Sequence, residues 1–126
     1  MVDFTNKLIF KLKKVDLEKK EEALKDILIE DETLIGAYQT MRDYVVFTSM
    51  RIISVNVQGI VGKKKDYTSI PYSKINVFSV ETAGVLDLDS ELEIYVAGVE
   101  QVIHFEFTGF SDIKEIERNI AKYALK

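Results

Sequence analysis

The sequence predicts a mainly β domain of the α+β class, with one helix before the strands and one after them. Between about residues 33 and 109 the chain is rich in β-branched and aromatic residues, broken by short polar turns. Apolar residues recur at helical spacing on either side of that region. The chain has 126 residues, of which 47% are hydrophobic and 30% are charged. This size and composition are typical of a single globular domain with one core.

The first helix is predicted over residues 16–30. Its apolar stripe consists of Leu17, Leu24, Ile27 and Leu28, and charged residues occupy the other faces. Asp16 is a suitable N-cap because its carboxylate can accept hydrogen bonds from the free amides of the first turn. We expect residues 1–30, which are the N-terminal segment and this helix, to pack against the domain formed by residues 31–126.

Seven antiparallel strands are predicted between the helices. They cover residues 33–39, 44–48, 51–57, 64–70, 75–82, 92–96 and 102–107. Pro71 ends the fourth strand because proline cannot donate a hydrogen bond to a β-ladder. The last two strands form the clearest hairpin, since apolar and polar residues alternate along both arms and Gly98 lies between them. One face of this hairpin is therefore expected in the core and the other in water.

A second amphipathic helix is predicted after Gly109. Its apolar stripe consists of Ile113, Ile116, Ile120 and Tyr123. Ser111 is the expected cap, and lysines lie near the negative C-terminal end of the helix. The helix should therefore close the domain by packing its apolar stripe on the core.

The fifth predicted strand carries apolar residues on both faces. Under strict alternation Ile75 and Val77 lie on one face, whereas Phe78 and Val80 lie on the other. A domain with one core can bury only one of these faces. We therefore predict that Ile75 and Val77 form an interface between copies of the chain, because association would remove them from water.

Several strings of residues carry a resemblance to a known family. They are FTSMRII at residues 47–53, GIVGKK at 59–64, SIPYSKI at 69–75 and FSVETAG at 78–84. Together with the acidic run at 87–91 and the start of the last helix, they resemble the bacterial pleckstrin-homology (PH) domain family. The resemblance implies a PH-like, seven-stranded antiparallel orthogonal barrel, plugged by the C-terminal helix and preceded by an additional helix. It also implies a binding module whose relatives form ring-shaped homo-oligomers, commonly pentamers.

The side chains needed for catalysis or metal binding do not form a complete set in this sequence. It contains no cysteine, and the single histidine, His104, is expected on the polar face of a strand. The glycine pair in residues 59–63 lacks the spacing of a phosphate-binding loop. The acidic run at 87–91 lacks the central glycine and the final glutamate of a calcium loop. We predict no catalytic residue, cofactor or metal site, and a protein that is not an enzyme.

The charged residues suggest two candidate contact surfaces. The formal net charge of -4 argues against nucleic acid as a partner. Lys63, Lys64 and Lys65 are a candidate contact for an acidic partner or a lipid headgroup. Lys7, Lys11, Lys13 and Lys14 are mixed with apolar residues and are a candidate contact for a membrane surface. No run reaches the roughly 20 apolar residues of a membrane span, and no signal sequence is visible, so we expect a cytoplasmic protein.

Two hypotheses for function follow from the sequence. The first is a non-enzymatic scaffold that forms a ring-like homo-oligomer, with a pentamer as its expected size, and presents a surface to a protein or peptide. Membrane lipid is not an expected partner under this hypothesis. The alternative is a peripheral membrane adaptor that binds anionic lipid through the basic N-terminal segment. Sedimentation with anionic vesicles distinguishes the two, because only the adaptor should pellet and should lose its binding at high salt.

Overall fold

The computed structural model describes residues 11–86, 88–109 and 112–125. Its elements in these ranges are β1 (Lys13–Lys14), α1 (Leu17–Ala23), β2 (Leu34–Thr40), β3 (Asp43–Thr48), β4 (Arg51–Gln58), β5 (Lys64–Pro71), β6 (Ile75–Glu81), β7 (Ser90–Val96), β8 (Ile103–Phe107) and α2 (Ile113–Ala124). A single 3-10 turn, Tyr72–Lys74, connects β5 to β6. The predicted fold class, strands flanked by a helix on each side, is confirmed.

The strands form two antiparallel sheets. One has the order β1-β2-β3-β4-β5 and the other has the order β6-β7-β8. Leu12 ties the sheets together, since its amide donates to the carbonyl of Glu106 and its carbonyl accepts from the amide of Thr108, both at 2.9 Å. The chain then continues into β1, which pairs with β2. The sequence did not predict β1, because two consecutive lysines carry no alternating pattern.

Both faces of the five-stranded sheet are covered. Its inner face packs on the three-stranded sheet and α2, with Tyr38, Phe47 and Phe107 in contact at the centre of this core. Its outer face carries a second apolar cluster that includes Tyr44 and Val46 of β3. The segment of α1 and the turns after it cover this cluster, and Leu24 is completely buried there. Residues 15–28 and the outer face of the five-stranded sheet therefore form a second, smaller core together.

Helix α1 is shorter than predicted. Asp16 is its N-cap, as the sequence indicated, and its carboxylate accepts from the amide of Glu18 at 2.9 Å. The helix ends at Ala23, whereas the apolar spacing predicted a helix to residue 30. Side chains replace the missing helical hydrogen bonds: Arg51 donates to the carbonyl of Ile27, and the Glu32 carboxylate accepts from the amide of Ile29. The chain can therefore leave the helix without losing these bonds.

A bulge in β6 makes one part of the predicted interface wrong. Ile75 pairs with Val96, but Val77 pairs with Tyr95, so one extra residue lies in β6 between these positions. Strict alternation fails there, and Ile75 is only 6% exposed in the same core that Phe78 and Val80 contact. Val77 is 55% exposed on the outer face. Ile75 is thus a core residue, and only Val77 is available on the outer surface of the subunit.

Helix α2 packs its apolar stripe on the core, as predicted. Ile113, Ile116 and Ile120 are buried, and Ile120 is completely so. Its N-cap is Asp112, whose carboxylate accepts from the amide of Glu115. The predicted cap, Ser111, lies outside the described residues. In the described ranges, neither helix has the length and apolar character needed to cross a bilayer.

Candidate functional site

The turns of the five-stranded sheet define two ends that differ in chemistry. The β3–β4 turn lies at one end. The β2–β3 and β4–β5 turns lie at the other, because alternate connections of an antiparallel meander fall on the same side. Polar side chains are buried at the first end, which we call the clamp end. Apolar and basic side chains are exposed at the second, which we call the tip end.

An ion pair is buried at the clamp end. The guanidinium of Arg51 donates from Nε to Oε2 of Glu32 and from Nη2 to Oε1, both at 2.8 Å. The Glu32 side chain is fully buried, and the Arg51 side chain is 20% exposed. The hydroxyl of Thr48 donates a further hydrogen bond to Glu32 Oε2 at 2.7 Å. This two-point geometry fixes the segment before β2 against the start of β4.

The surroundings of Glu32 favour its charged form. Burial acts to raise the pKa of Glu32, but hydrogen bonds from Arg51, Thr48 and the amide of Ile29 outweigh burial and hold the pKa below its usual value. The pKa of Arg51 is raised, mainly by its hydrogen bonds to Glu32. Both groups are therefore charged at neutral pH, and each is occupied by its partner. The Glu32–Arg51 ion pair therefore has a structural role.

A hydrogen-bond network connects this ion pair to the C-terminal helix. Tyr72 donates from its hydroxyl to the carbonyl of Thr48 at 2.8 Å, and Asn119 of α2 donates to the Tyr72 hydroxyl at 3.0 Å. The ring of Tyr123 stacks on Tyr72 with a centroid separation of 5.5 Å. Burial raises the pKa of Tyr72, so its hydroxyl stays protonated as a donor. We call the Glu32, Thr48, Arg51, Tyr72 and Asn119 network the polar clamp.

At the tip end, two neighbouring turns are held together. Arg42 of the β2–β3 turn donates from Nη1 to the carbonyl of Gly59 in the β4–β5 turn at 2.7 Å. Gly59 and Gly62 have positive φ, and Ile60 and Val61 lie between them at the apex of the turn. Both apolar side chains are exposed, and that of Ile60 is fully so. The candidate contact residues Lys63, Lys64 and Lys65 directly follow this apex and are all exposed.

The candidate membrane-contact lysines of the N-terminal segment do not behave alike. Lys7 lies outside the described residues. Lys11 lies 3.4 Å from Asp89 and 3.6 Å from Glu106, and these contacts raise its pKa. Lys13 and Lys14 are exposed on β1. The contact of this segment with a membrane stays a prediction, with the charge of Lys11 already matched by carboxylates of its own subunit.

The outer face of the three-stranded sheet carries an exposed apolar pair. Val77 and Tyr95 are direct partners across the β6–β7 ladder and are 55% and 47% exposed. Cross-strand partners have their side chains in contact range on one face of a sheet. We call Val77 and Tyr95 the outer patch. The sequence predicted an outward-facing pair of Ile75 and Val77. In the structure the outward-facing pair is Val77 and Tyr95.

Clefts adjoin the core in the described part of the chain. A narrow one of about 90 Å³ lies between β2 and α2. Burial, followed by the charges of Glu115 and Asp112, raises the pKa of its Tyr38 to about 12, so this hydroxyl cannot act as a base near neutral pH. Another cleft, of about 250 Å³, lies where β5, the 3-10 turn after it and the β7–β8 turn meet. Its apolar lining residues include Ile70, Pro71, Val96, Ala97 and Val99.

His104 lies beside two carboxylates that the sequence did not associate with it. It pairs with Glu93 across β7 and β8, and its Nε2 is 3.7 Å from Glu91 Oε1. Ligand atoms of these three half-buried residues all lie within 4.8 Å of one another. They are the residues of the described chain that could hold a metal ion. The prediction that the protein binds no metal is therefore best tested at His104.

The architecture defines a PH-like class of protein: two packed antiparallel sheets with a C-terminal helix on the shared core. The bacterial PH domain family model matches residues 3–124. The chain therefore belongs to the bacterial PH domain family, and the resemblance seen in its sequence is confirmed.

Relatives and solved structures agree with this assignment. Two uncharacterised proteins of Bacillus subtilis (strain 168) are similar in sequence. YjqA is 45% identical over 102 residues, covering 80% of this chain and 82% of YjqA. YozO is 30% identical over 115 residues, covering 91% of this chain and 96% of YozO.

Two crystal structures from Shewanella share the fold along their whole length. A DUF1696 family protein with a PH domain, from Shewanella loihica PV-4, is 36% identical with a TM-score of 0.80, covering 91% of this chain and 98% of that one. A PH domain from Shewanella amazonensis SB2B is 43% identical with a TM-score of 0.67, covering 88% of this chain and 100% of that one.

The sequence interpretation missed the exposed apolar residues at the tip end. It treated the segment from Gly59 to Lys65 as a basic turn and gave no weight to Ile60 and Val61. A usable signal was present, because two consecutive branched apolar residues between glycines are unusual for a solvated turn. Tyr95 was missed for a different reason, since its pairing with Val77 depends on the bulge in β6.

Proposed function

We propose that the protein is a non-catalytic binding module that assembles with copies of itself into a ring and presents a surface to a protein or peptide. Membership of the bacterial PH domain family supports the binding part of the proposal. The observation that carries the assembly part is the outer patch. Its two large apolar side chains lie side by side, about half exposed, on the outer face of the three-stranded sheet.

The ring form of the assembly rests on the family resemblance. In a head-to-tail contact the outer patch of one copy would meet a different surface of the next copy. Contacts of this kind close into a ring when the rotation between subunits divides a full turn. The size suggested by the resemblance to ring-forming bacterial PH proteins is five. The family assignment and the position of the outer patch support this proposal together.

The cleft of about 250 Å³ is the concave surface that each subunit would present. Its lining is mainly apolar, and Lys74 lies at its edge. Such a cleft fits one apolar side chain of an extended peptide, and a ring would repeat it once per subunit. Repetition raises overall affinity for a multivalent partner without any new contact.

The decisive experiment is multi-angle light scattering on the wild type and on Val77→Asp. The wild type is expected to have a mass several times the 14.4 kDa of one chain. The variant should be folded and smaller, because a carboxylate buried without a partner destabilises an interface but is harmless in water. Leu125→Asp, at an exposed apolar residue beyond α2, is the matched control and should keep the wild-type mass.

Two results would contradict the proposal. A wild-type mass of one chain would remove self-assembly altogether. A Val77→Asp protein of full mass would place the contact away from the outer patch.

A further inference from the structure

A histidine and three glutamates lie together on the outer face of the three-stranded sheet. His104 pairs directly with Glu93 across the β7–β8 ladder, and Glu91 pairs with Glu106 in a neighbouring row. The residues between them in both strands are buried in the core. Because side chains alternate between the two faces of a strand, these four polar side chains share the face that points away from the core.

The glutamates of this face are placed directly against one another. Glu91 lies between Glu81 of β6 and Glu106 of β8 and is the cross-strand partner of both. Like charges directly opposite each other destabilise a sheet. Lys11 lies 3.6 Å from Glu106. Within the described residues, no lysine or arginine forms an ion pair with Glu81, Glu91 or Glu93. A cation bound here would therefore offset a repulsion that the strand register imposes.

Three of these side chains have nearly the spacing of ligands to one metal ion. Nε2 of His104 is 3.7 Å from Oε1 of Glu91, which is longer than a hydrogen bond. Ligand atoms of Glu91, Glu93 and His104 all lie within 4.8 Å of one another. Two ligands that are each about 2.1 Å from a tetrahedral ion are about 3.4 Å apart, so shifts of about 1 Å would complete the set.

The three candidate ligands are held on a rigid element and are partly shielded from water. All of them lie on the paired strands β7 and β8, which position side chains more precisely than loops do. The side chains of His104 and Glu91 are 28% and 33% exposed, and Glu93 is half-buried. The remaining exposure leaves an entry path for an ion and room for water as a further ligand.

The types of ligand select the class of ion. Calcium and magnesium take oxygen ligands, whereas an imidazole nitrogen suits transition metals and zinc. Zinc binds both imidazole nitrogen and carboxylate oxygen, at about 2.0 to 2.2 Å. One imidazole between two carboxylates therefore matches Zn²⁺ better than Ca²⁺ or Mg²⁺.

We propose that Glu91, Glu93 and His104 form a binding site for a divalent metal ion of the zinc class. His104 supplies a nitrogen ligand, the glutamates supply oxygen ligands, and a fourth position is open for water or for a group of another molecule. The expectation of no metal site considered His104 without these two glutamates. The site needs one chain only, so it goes beyond the proposed function and does not rest on assembly.

Titration of the full chain, free of any affinity tag, with Zn²⁺ tests the proposal. His104 is the only histidine and the chain has no cysteine, so every imidazole resonance in an NMR spectrum reports on this residue. Zinc is expected to move these resonances until one ion is bound per chain, whereas Mg²⁺ should leave them in place. Imidazole resonances that zinc does not move, or that magnesium moves equally, would overturn the proposal.

Variants studied by isothermal titration calorimetry test the ligand set. Glu93→Gln and His104→Ala should each weaken zinc binding at least tenfold, because loss of even an outer-shell partner of a metal costs about 10- to 100-fold in affinity. The matched control is Glu81→Gln, which removes the same charge from the same face outside the ligand set. It should weaken binding much less than Glu93→Gln. Equal losses in these two variants would indicate diffuse attraction to an acidic face and would contradict the proposal, as would wild-type affinity in His104→Ala.

Discussion

The clamp end and the tip end of the same sheet use charged residues in opposite ways. At the clamp end, Arg51 gives its donors to Glu32, Ser69 and the carbonyl of Ile27, and the Glu32 side chain has no exposure to water. At the tip end, the ion pairs within the described ranges do not include Lys63 to Lys65, which stand beside exposed apolar residues. Charge that is satisfied internally stabilises the fold, and charge left outward is available to a partner. The two ends can therefore be separated by mutation.

The largest expected effect follows removal of the arginine from the polar clamp. Arg51→Met should lower the free energy of unfolding by about 3 to 5 kcal/mol, because Glu32 would be left buried without a counter-charge. Urea unfolding followed by circular dichroism measures this change. The matched change at the tip end, Ile60→Asp, should alter the free energy by less than about 0.5 kcal/mol, as is usual for exposed positions. Equal losses in both variants would contradict the division between the ends.

A second large effect is expected from the helix that the clamp connects to the sheet. Ile120→Ala should cost about 2 to 5 kcal/mol of unfolding free energy, because it deletes a completely buried aliphatic side chain. That loss is a large part of the roughly 5 to 15 kcal/mol by which a domain is stable. Unfolding midpoints within the error of wild type would mean that α2 is loosely attached.

Acid should weaken the clamp end selectively. The pKa of Glu32 in the folded protein is held below its ordinary value of 4.5, so its contribution to stability is fully present above that value. The contribution is lost as the pH falls through the lower pKa of the folded state. Urea midpoints of wild type should therefore drop in this acid range, and those of Arg51→Met should drop less. A parallel decline in both proteins would assign the acid sensitivity to other carboxylates.

Local patterns were enough to predict the order of the two helices and of seven strands, β2 to β8. The alternation in β7 and β8, the apolar stripe of α2 and the Asp16 cap are all properties of neighbouring residues, and all are confirmed. Residues buried on one face recur about every two residues in a strand and about every 3.6 residues in a helix. Membership of the bacterial PH domain family could likewise be predicted from short strings.

Features that depend on distant partners could not be predicted. Glu32 and Arg51 are 19 residues apart, and nothing in either neighbourhood indicates that they meet. The bulge in β6 adds one residue, which is enough to move Ile75 from the expected outer face into the core. The outer patch was therefore only half predicted, with Val77 in place and its partner Tyr95 unseen.

Hydrogen exchange on the wild-type protein tests the division between the ends most directly. Ile60 and Val61, at the exposed apex of the β4–β5 turn, should exchange rapidly. At the clamp end the amides of Met50 and Arg51 donate to the Thr48 hydroxyl at 3.0 Å, so their exchange should be slow. Rapid exchange at Met50 and Arg51, or slow exchange at Ile60 and Val61, would contradict the account.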